Sequence, residues 1–97
     1  MQRLFWVYIL SSHKNGTLYT GVTNDLLRRL YEHQSESSPR FSARYQVKRL
    51  VWYEEHCTAD RAIAREKAIK TWKRSWKIDL IEESNPEWFD LGRFLNG

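Results

Sequence analysis

Two tyrosines, an arginine and a histidine stand close together early in this chain: Tyr8, then Tyr19-Thr20-Gly21, then Thr23-Asn24-Asp25-Leu26-Leu27-Arg28-Arg29 and His33. Phenols, a guanidinium and an imidazole at one edge can bind a phosphoryl group and move protons around it, the equipment of a phosphodiester-cleaving site. The stretch must then fold as strand, turn, strand and helix start. A β-hairpin can bring its tyrosines onto one sheet face, and the following helix adds Arg29 and His33 to the same edge.

A second signal is an acid in apolar company. Glu66 has Ala62 and Ile63 at −4 and −3 and Ile69 at +3. A carboxylate buried there is costly unless it is paired, protonated or bound to a metal. In one reading the position is half buried and Glu66 pairs with Lys70 at i+4. In the other, Glu66 opens onto a cleft and holds a hard divalent cation, Mg2+ or Mn2+, with water and phosphate oxygens completing the shell. The remaining residues have ordinary readings too. Tyr8 and Tyr19 suit a sheet as plain aromatics, Arg28 and Arg29 a solvated helix face, His33 a helix C-terminus, and Asn85 a turn before Pro86.

The elements that must position these groups are readable from pattern. Leu4 to Leu10 is dense in aromatic and β-branched side chains and predicts a strand buried on both faces. Asn15-Gly16 supplies the turn and Thr17 to Gly21 the return strand. Thr23 or Asn24 can cap a helix with Asp25 in its first turn, a buried stripe of Leu26, Leu27 and Leu30, and Asp25, Arg29 and His33 on a line beside it. A polar loop, Gln34 to Arg40, leads to a third strand, Arg49 to Glu54. A helix starting at Thr58 or Asp60 runs to about Lys73, with Ala59, Ala62, Ile63, Glu66, Ile69 and Trp72 or Lys73 inward. It either continues through Ile81 or breaks near Arg74-Ser75, and Asn85-Pro86 ends it. Trp88, Phe89, Leu91 and Phe94 form a covering tail. The fold class is α+β, a small three-stranded antiparallel sheet flanked by helices.

Composition sets the bounds. With 97 residues, 41% hydrophobic, residues 1–97 make one domain with one modest core. A formal charge of +4 tolerates a polyanionic partner without demanding one. The single cysteine, Cys57, excludes an internal disulfide and a thiolate zinc cluster, and reads as a strand-end or buried residue. No apolar run is long enough to span a membrane, so a cytoplasmic, intracellular setting is expected.

The order and spacing of these residues resemble the GIY-YIG nuclease family, in its small stand-alone branch, along the whole chain. The first motif stands as Trp6-Val7-Tyr8 and the second as Tyr19-Thr20-Gly21. Arg29 follows the motif glycine by eight positions, His33 lies a turn later, and Glu66 sits in Ala62-Ile63-Ala64-Arg65-Glu66-Lys67. The late asparagine is Asn85, in Asn85-Pro86-Glu87-Trp88-Phe89. Departures are Trp6, Val7 and Thr20 within the motifs, and Ser35 to Pro39 where a Gly-rich turn is usual.

The resemblance implies a metal-dependent, structure-selective DNA endonuclease that hydrolyses phosphodiester bonds with little base-sequence preference. It implies Tyr8 as general base, Tyr19 as its orienting partner, His33 as relay, Arg29 on a nonbridging oxygen, Glu66 on Mg2+ or Mn2+, and Asn85 fixing geometry on the metal side. A tyrosine of ordinary pKa, about 10, needs nearby positive charge for that role. Arg28, Arg40, Arg44, Lys48, Arg65, Lys70, Lys73, Arg74 and Lys77 are the basic residues available for backbone phosphates, and Trp72 and Trp76 could stack on bases. DNA is the expected partner, with RNA left open and a protein partner able to supply specificity. Two other classes stay open: a nucleic-acid-binding module without independent activity, and a small protein-interaction adaptor.

Overall fold

The computed structural model describes residues 4–34 and 47–95. The elements are β1 (Phe5–Ser11), β2 (Leu18–Thr23), α1 (Leu26–Gln34), β3 (Arg49–His56), α2 (Ala59–Thr71), α3 (Arg74–Ser84) and a final 3-10 turn (Leu91–Phe94). The sheet is antiparallel in the order β2-β1-β3. β1 takes the centre because its side chains are apolar at both parities, and Val7 through Leu10 are fully buried. Val7 and Ile9 meet Val51, Trp52, Ala62, Ile69, Ile81 and Trp88 on one face. Tyr8 and Leu10 meet Leu26, Leu30, Val47 and Leu50 on the other. The expected α+β class is present, with α2 and α3 on one side of the sheet and α1 on the other.

The hairpin has Ser11 opposite Leu18 and a loop of even length between them. Within that loop only Asn15 adopts positive φ, at 61°; Gly16 does not. Arg74, at the start of α3, donates to the carbonyls of Asn15 and Gly16 and ties the loop to the helical layer. β3 runs to His56, two residues past the predicted end, because Glu55 and His56 find partners in Trp6 and Phe5. A bulge lies on β3: Ile9 pairs with Trp52 but Leu10 pairs with Leu50, leaving Val51 extra.

Several expectations are corrected. Asp25 itself caps α1, its Oδ1 accepting from Arg28 N at 3.1 Å, while Thr23 Oγ1 accepts from Asp25 N. The buried face of α1 is Leu26, Leu30 and His33; Leu27, about 100° round the helix, is 39% exposed. His33 thus belongs to the buried stripe, not to a line beside it. α2 starts after Thr58, whose Oγ1 caps Arg61 N, and ends at Thr71, before the predicted Lys73. Trp72 and Lys73 are extended, with ψ of 149° and 154°, which settles the break between α2 and α3. Only Ala62, Glu66 and Ile69 of α2 are buried; Ala59 is half-buried and Ile63 exposed. Cys57 follows the end of β3 and is exposed. In the tail Trp88 is buried, while Phe89 and Phe94 are exposed. Among the described residues no helix is long and apolar enough to cross a membrane.

Candidate active site

Tyr8 lies directly across from Gly21 in the β1–β2 ladder, and Tyr19 is two residues from Gly21, so both tyrosines project to the α1 face. Gly21 is required by the phenol. A Cβ there would stand 2.5 Å from Tyr8 Oη and 2.6 Å from Cζ. Its φ is not positive, so the need is for space and not for an unusual backbone. The Tyr8 ring can therefore lie flat against β2. Its Oη stands 2.8 Å from His33 Nε2, the direction of donation following the histidine tautomer. Both groups are fully buried, where an unmade hydrogen bond would be costly.

Tyr19 completes a cluster of three rings. Its centroid is 5.0 Å from that of His33, edge-on, and 6.3 Å from that of Tyr8. His33 sees Tyr8 at 5.7 Å, also edge-on. Such tilted contacts suit the ring quadrupoles and fix each ring by the other two.

Arg29 is held by Glu32, with Nε 3.2 Å from Oε1, and Arg28 reaches the other oxygen of the same carboxylate at 3.4 Å. Arg29 is the less exposed of the two, 30% against 75%. Both line a polar cavity of about 180 Å³ with Thr23, Asn24, Asp25 and Glu32. Exposed pairs of this kind contribute little, so a phosphate could compete for either guanidinium.

Glu66 faces inward from α2, its side chain 12% exposed, and Lys70 Nζ lies 2.7 Å from Oε2. The i+4 pair, one of the two sequence readings, is present, on a glutamate more buried than that reading supposes. Lys70 opens with Lys77 onto a cavity of about 310 Å³ whose other walls are Leu18, Tyr19 and Thr20. Tyr19 and the Lys70 end of the Glu66 pair therefore share one cleft, along the β2 edge. Among the described residues no group of three or more His, Cys, Asp and Glu side chains is placed to hold a metal.

Asn85 is elsewhere. It is buried, and its Nδ2 donates to Val51 O at 3.1 Å and to Phe89 O at 2.9 Å, while Oδ1 accepts from Phe89 N. Both amide hydrogens are committed to backbone. The Val51 carbonyl belongs to the bulge, so Asn85 closes the irregular part of β3, on the opposite edge of the sheet from Tyr19. Asp90 and Arg49 help: Leu50 N donates to Asp90 Oδ1, and Arg49 donates to Trp88 O.

Residues 4–79 match the GIY-YIG catalytic domain. The chain belongs to the GIY-YIG family. It is 33% identical over 78 residues to a UPF0213 protein of Staphylococcus saprophyticus, covering 80% of this chain and 94% of that one. Over 83 residues it is 34% identical to a UPF0213 protein of Haloquadratum walsbyi, covering 86% and 92%. The solution NMR structure of a UPF0213 protein from Bacillus halodurans is similar at a TM-score of 0.57, with 26% identity and coverage of 97% and 99%.

The GIY-YIG departures have visible surroundings. Trp6 packs half-buried against the Tyr8 side of the core, Val7 fills the opposite side, and Thr20 is buried on β2. The basic residues divide sharply. Arg65 makes a two-point pair with Glu54, at 3.0 and 3.4 Å, and its guanidinium lies over the rings of Trp52 and Trp72. Arg74 is committed to hairpin carbonyls. Lys73 lies over the exposed Trp76, and Lys48 is half-buried. Arg40 and Arg44 lie outside the described residues. Sequence reasoning did not single out Glu32, although its +3 and +4 spacing from Arg29 and Arg28 is a readable pairing signal.

Proposed function

We propose that this GIY-YIG chain is a metal-dependent, structure-selective endonuclease that hydrolyses DNA phosphodiester bonds. The observation that carries the reading is the Tyr8–His33 hydrogen bond, packed edge-on against Tyr19, with Tyr19 lining the same cleft as the lysine paired to Glu66. With the imidazole proton on Nδ1, His33 Nε2 accepts from Tyr8 Oη. Tyr8 can then pass its proton to His33 while taking one from the attacking water. The water oxygen bonds to phosphorus as the bond to the 3′-side oxygen breaks, and the departing alkoxide takes a proton from solvent. Arg29, once turned from Glu32, donates to a nonbridging oxygen and strengthens as charge builds there. Tyr19 holds the Tyr8–His33 pair in register.

Glu66 is the residue that would hold Mg2+ or Mn2+. One carboxylate fits a hard cation that takes its other oxygens from water and phosphate. Bound there, the cation supplies charge neutralisation at the phosphate. Contacts directed to phosphates carry affinity without a base code, so binding should fall about tenfold or more between low and physiological salt.

The test is a panel of labelled single-stranded, duplex, nicked, flap and branched DNAs, with an RNA counterpart, incubated with magnesium, manganese or EDTA. Metal-dependent cleavage that favours particular shapes, and is lost in Glu66→Ala with the circular dichroism unchanged, is the expected result. Binding without cleavage of any substrate would leave a nucleic-acid-binding module.

A further inference from the structure

Glu66 is an almost buried carboxylate, and Lys70 is its one partner among the described residues. A charge in that position must be compensated, so the pair is held together by the cost of separating it. Lys70 itself is 51% exposed, on a flexible four-carbon stem, and it lines the Tyr19 cleft. Lys77 is the second lysine of that wall, and among the described residues no acid lines the cleft. Its volume of about 310 Å³ falls at the small end of the ordinary range for ligand sites. Two lysines beside Leu18, Tyr19 and Thr20, at the rim of an open cleft, suit an anion.

We propose that Lys70 is shared between two anions, the Glu66 carboxylate and a nucleic-acid backbone phosphate seated in the Lys70–Lys77 cleft, so that loading Glu66 with a divalent cation hands Lys70 to the substrate. This rests on the nuclease reading and adds its order of assembly. In the metal-free protein Lys70 satisfies Glu66 and is withheld from phosphate. When a cation neutralises Glu66, the ammonium is released into the cleft, where Lys77 already faces the same anion. Binding of cation and phosphate is then mutually reinforcing, and the coupling is equal in both directions. Lys77, which is not paired with Glu66, contributes to phosphate binding in either state.

The experiment uses a fluorescein-labelled phosphorothioate duplex hairpin, which resists hydrolysis, and fluorescence anisotropy in EDTA. Glu66→Gln should bind it about three- to tenfold tighter than the unmodified chain, because Lys70 is set free. Glu66→Gln/Lys70→Met should lose that gain. Glu83→Gln, which changes charge equally at the exposed end of α3, should show no gain. In a second measurement, free Mn2+ is followed by EPR. Lys70→Met should bind manganese several-fold tighter, since no ammonium competes for Glu66, whereas Lys77→Met should not. Equal affinities for Glu66→Gln and the double variant, or equal manganese binding by Lys70→Met and the unmodified chain, overturn the sharing of Lys70 and leave the nuclease reading in place. No hairpin binding by any variant overturns both. A thermal melt on each variant separates misfolding from these outcomes, and the manganese arm does not depend on Glu66→Gln folding.

Discussion

Replacing Gly21 with alanine tests the packing on which the tyrosine site depends. The new Cβ would lie 2.5 Å from Tyr8 Oη, 2.6 Å from Tyr8 Cζ and 3.1 Å from Tyr19 Cε1, where ordinary contact begins at 3.4 Å. The phenol must therefore retreat by about 1 Å. It has little room, because Tyr8 is fully buried and held by His33 at 2.8 Å. Overpacking of this kind costs about 1–3 kcal/mol. Alanine recovers about 0.5–1 kcal/mol in a strand, since its unfolded chain is less free than that of glycine. The net loss should be about 1–2 kcal/mol, or about 5–10 °C in Tm for a domain of this size. A catalytic group misplaced by about 1 Å can lose about 100-fold in rate, so kcat should fall far more than stability explains. Urea denaturation measures the first term and single-turnover cleavage the second. The double variant Gly21→Ala/Tyr8→Leu removes the clashing ring and should be at least about 1 kcal/mol more stable than the sum of the single losses. Strict additivity, or a Gly21→Ala chain as stable and active as the original, would refute the placement of the Tyr8 ring against Gly21.

Asn85→Ala should destabilise by about 3 kcal/mol, because two carbonyls and one amide lose their partner at roughly 1 kcal/mol or more each; chemical denaturation reads this, and a change within 0.5 kcal/mol would deny Asn85 its hold on the β3 bulge. Arg29→Ala should cost about 2–4 kcal/mol of transition-state stabilisation, comparable with loss of one oxyanion donor, and the more exposed Arg28→Ala far less; equal losses in kcat/KM would reduce both to general phosphate binding. Tyr8→Phe should lower turnover more than Tyr19→Phe with both folds intact, since Tyr8 carries the hydrogen bond to His33. The reverse order in single-turnover rates would exchange their roles.

Much of this protein was legible in its residues because the relevant physics is local or periodic. The unbroken apolar run at Leu4 to Leu10 pointed to a strand buried on both faces, and an even-length loop near Asn15 allowed Tyr8 and Tyr19 to share a face, while the register itself was set by the fold. The i+4 spacing of Glu66 and Lys70 offered their ion pair as one of two readings. The order and spacing of the motifs point to the GIY-YIG family on their own. What the sequence left open depended on chain segments far apart meeting in space. Leu26, Leu27 and Leu30 look equivalent as leucines, and only the angle at which α1 meets the sheet put His33 inside and Leu27 out. Arg65 and Arg74 read as free surface charge until Glu54, Trp52 and the hairpin carbonyls came to lie beside them. Asn85 read as a turn residue or a site residue; the bulge at Val51, 34 positions away in the chain, gave its amide a partner. Spacing along a helix or strand carries such information only over a few residues. Where the partner of a buried polar group lies far off in the chain, as for Asn85, it is chosen by the packing of whole elements, and so it is decided by the tertiary structure alone.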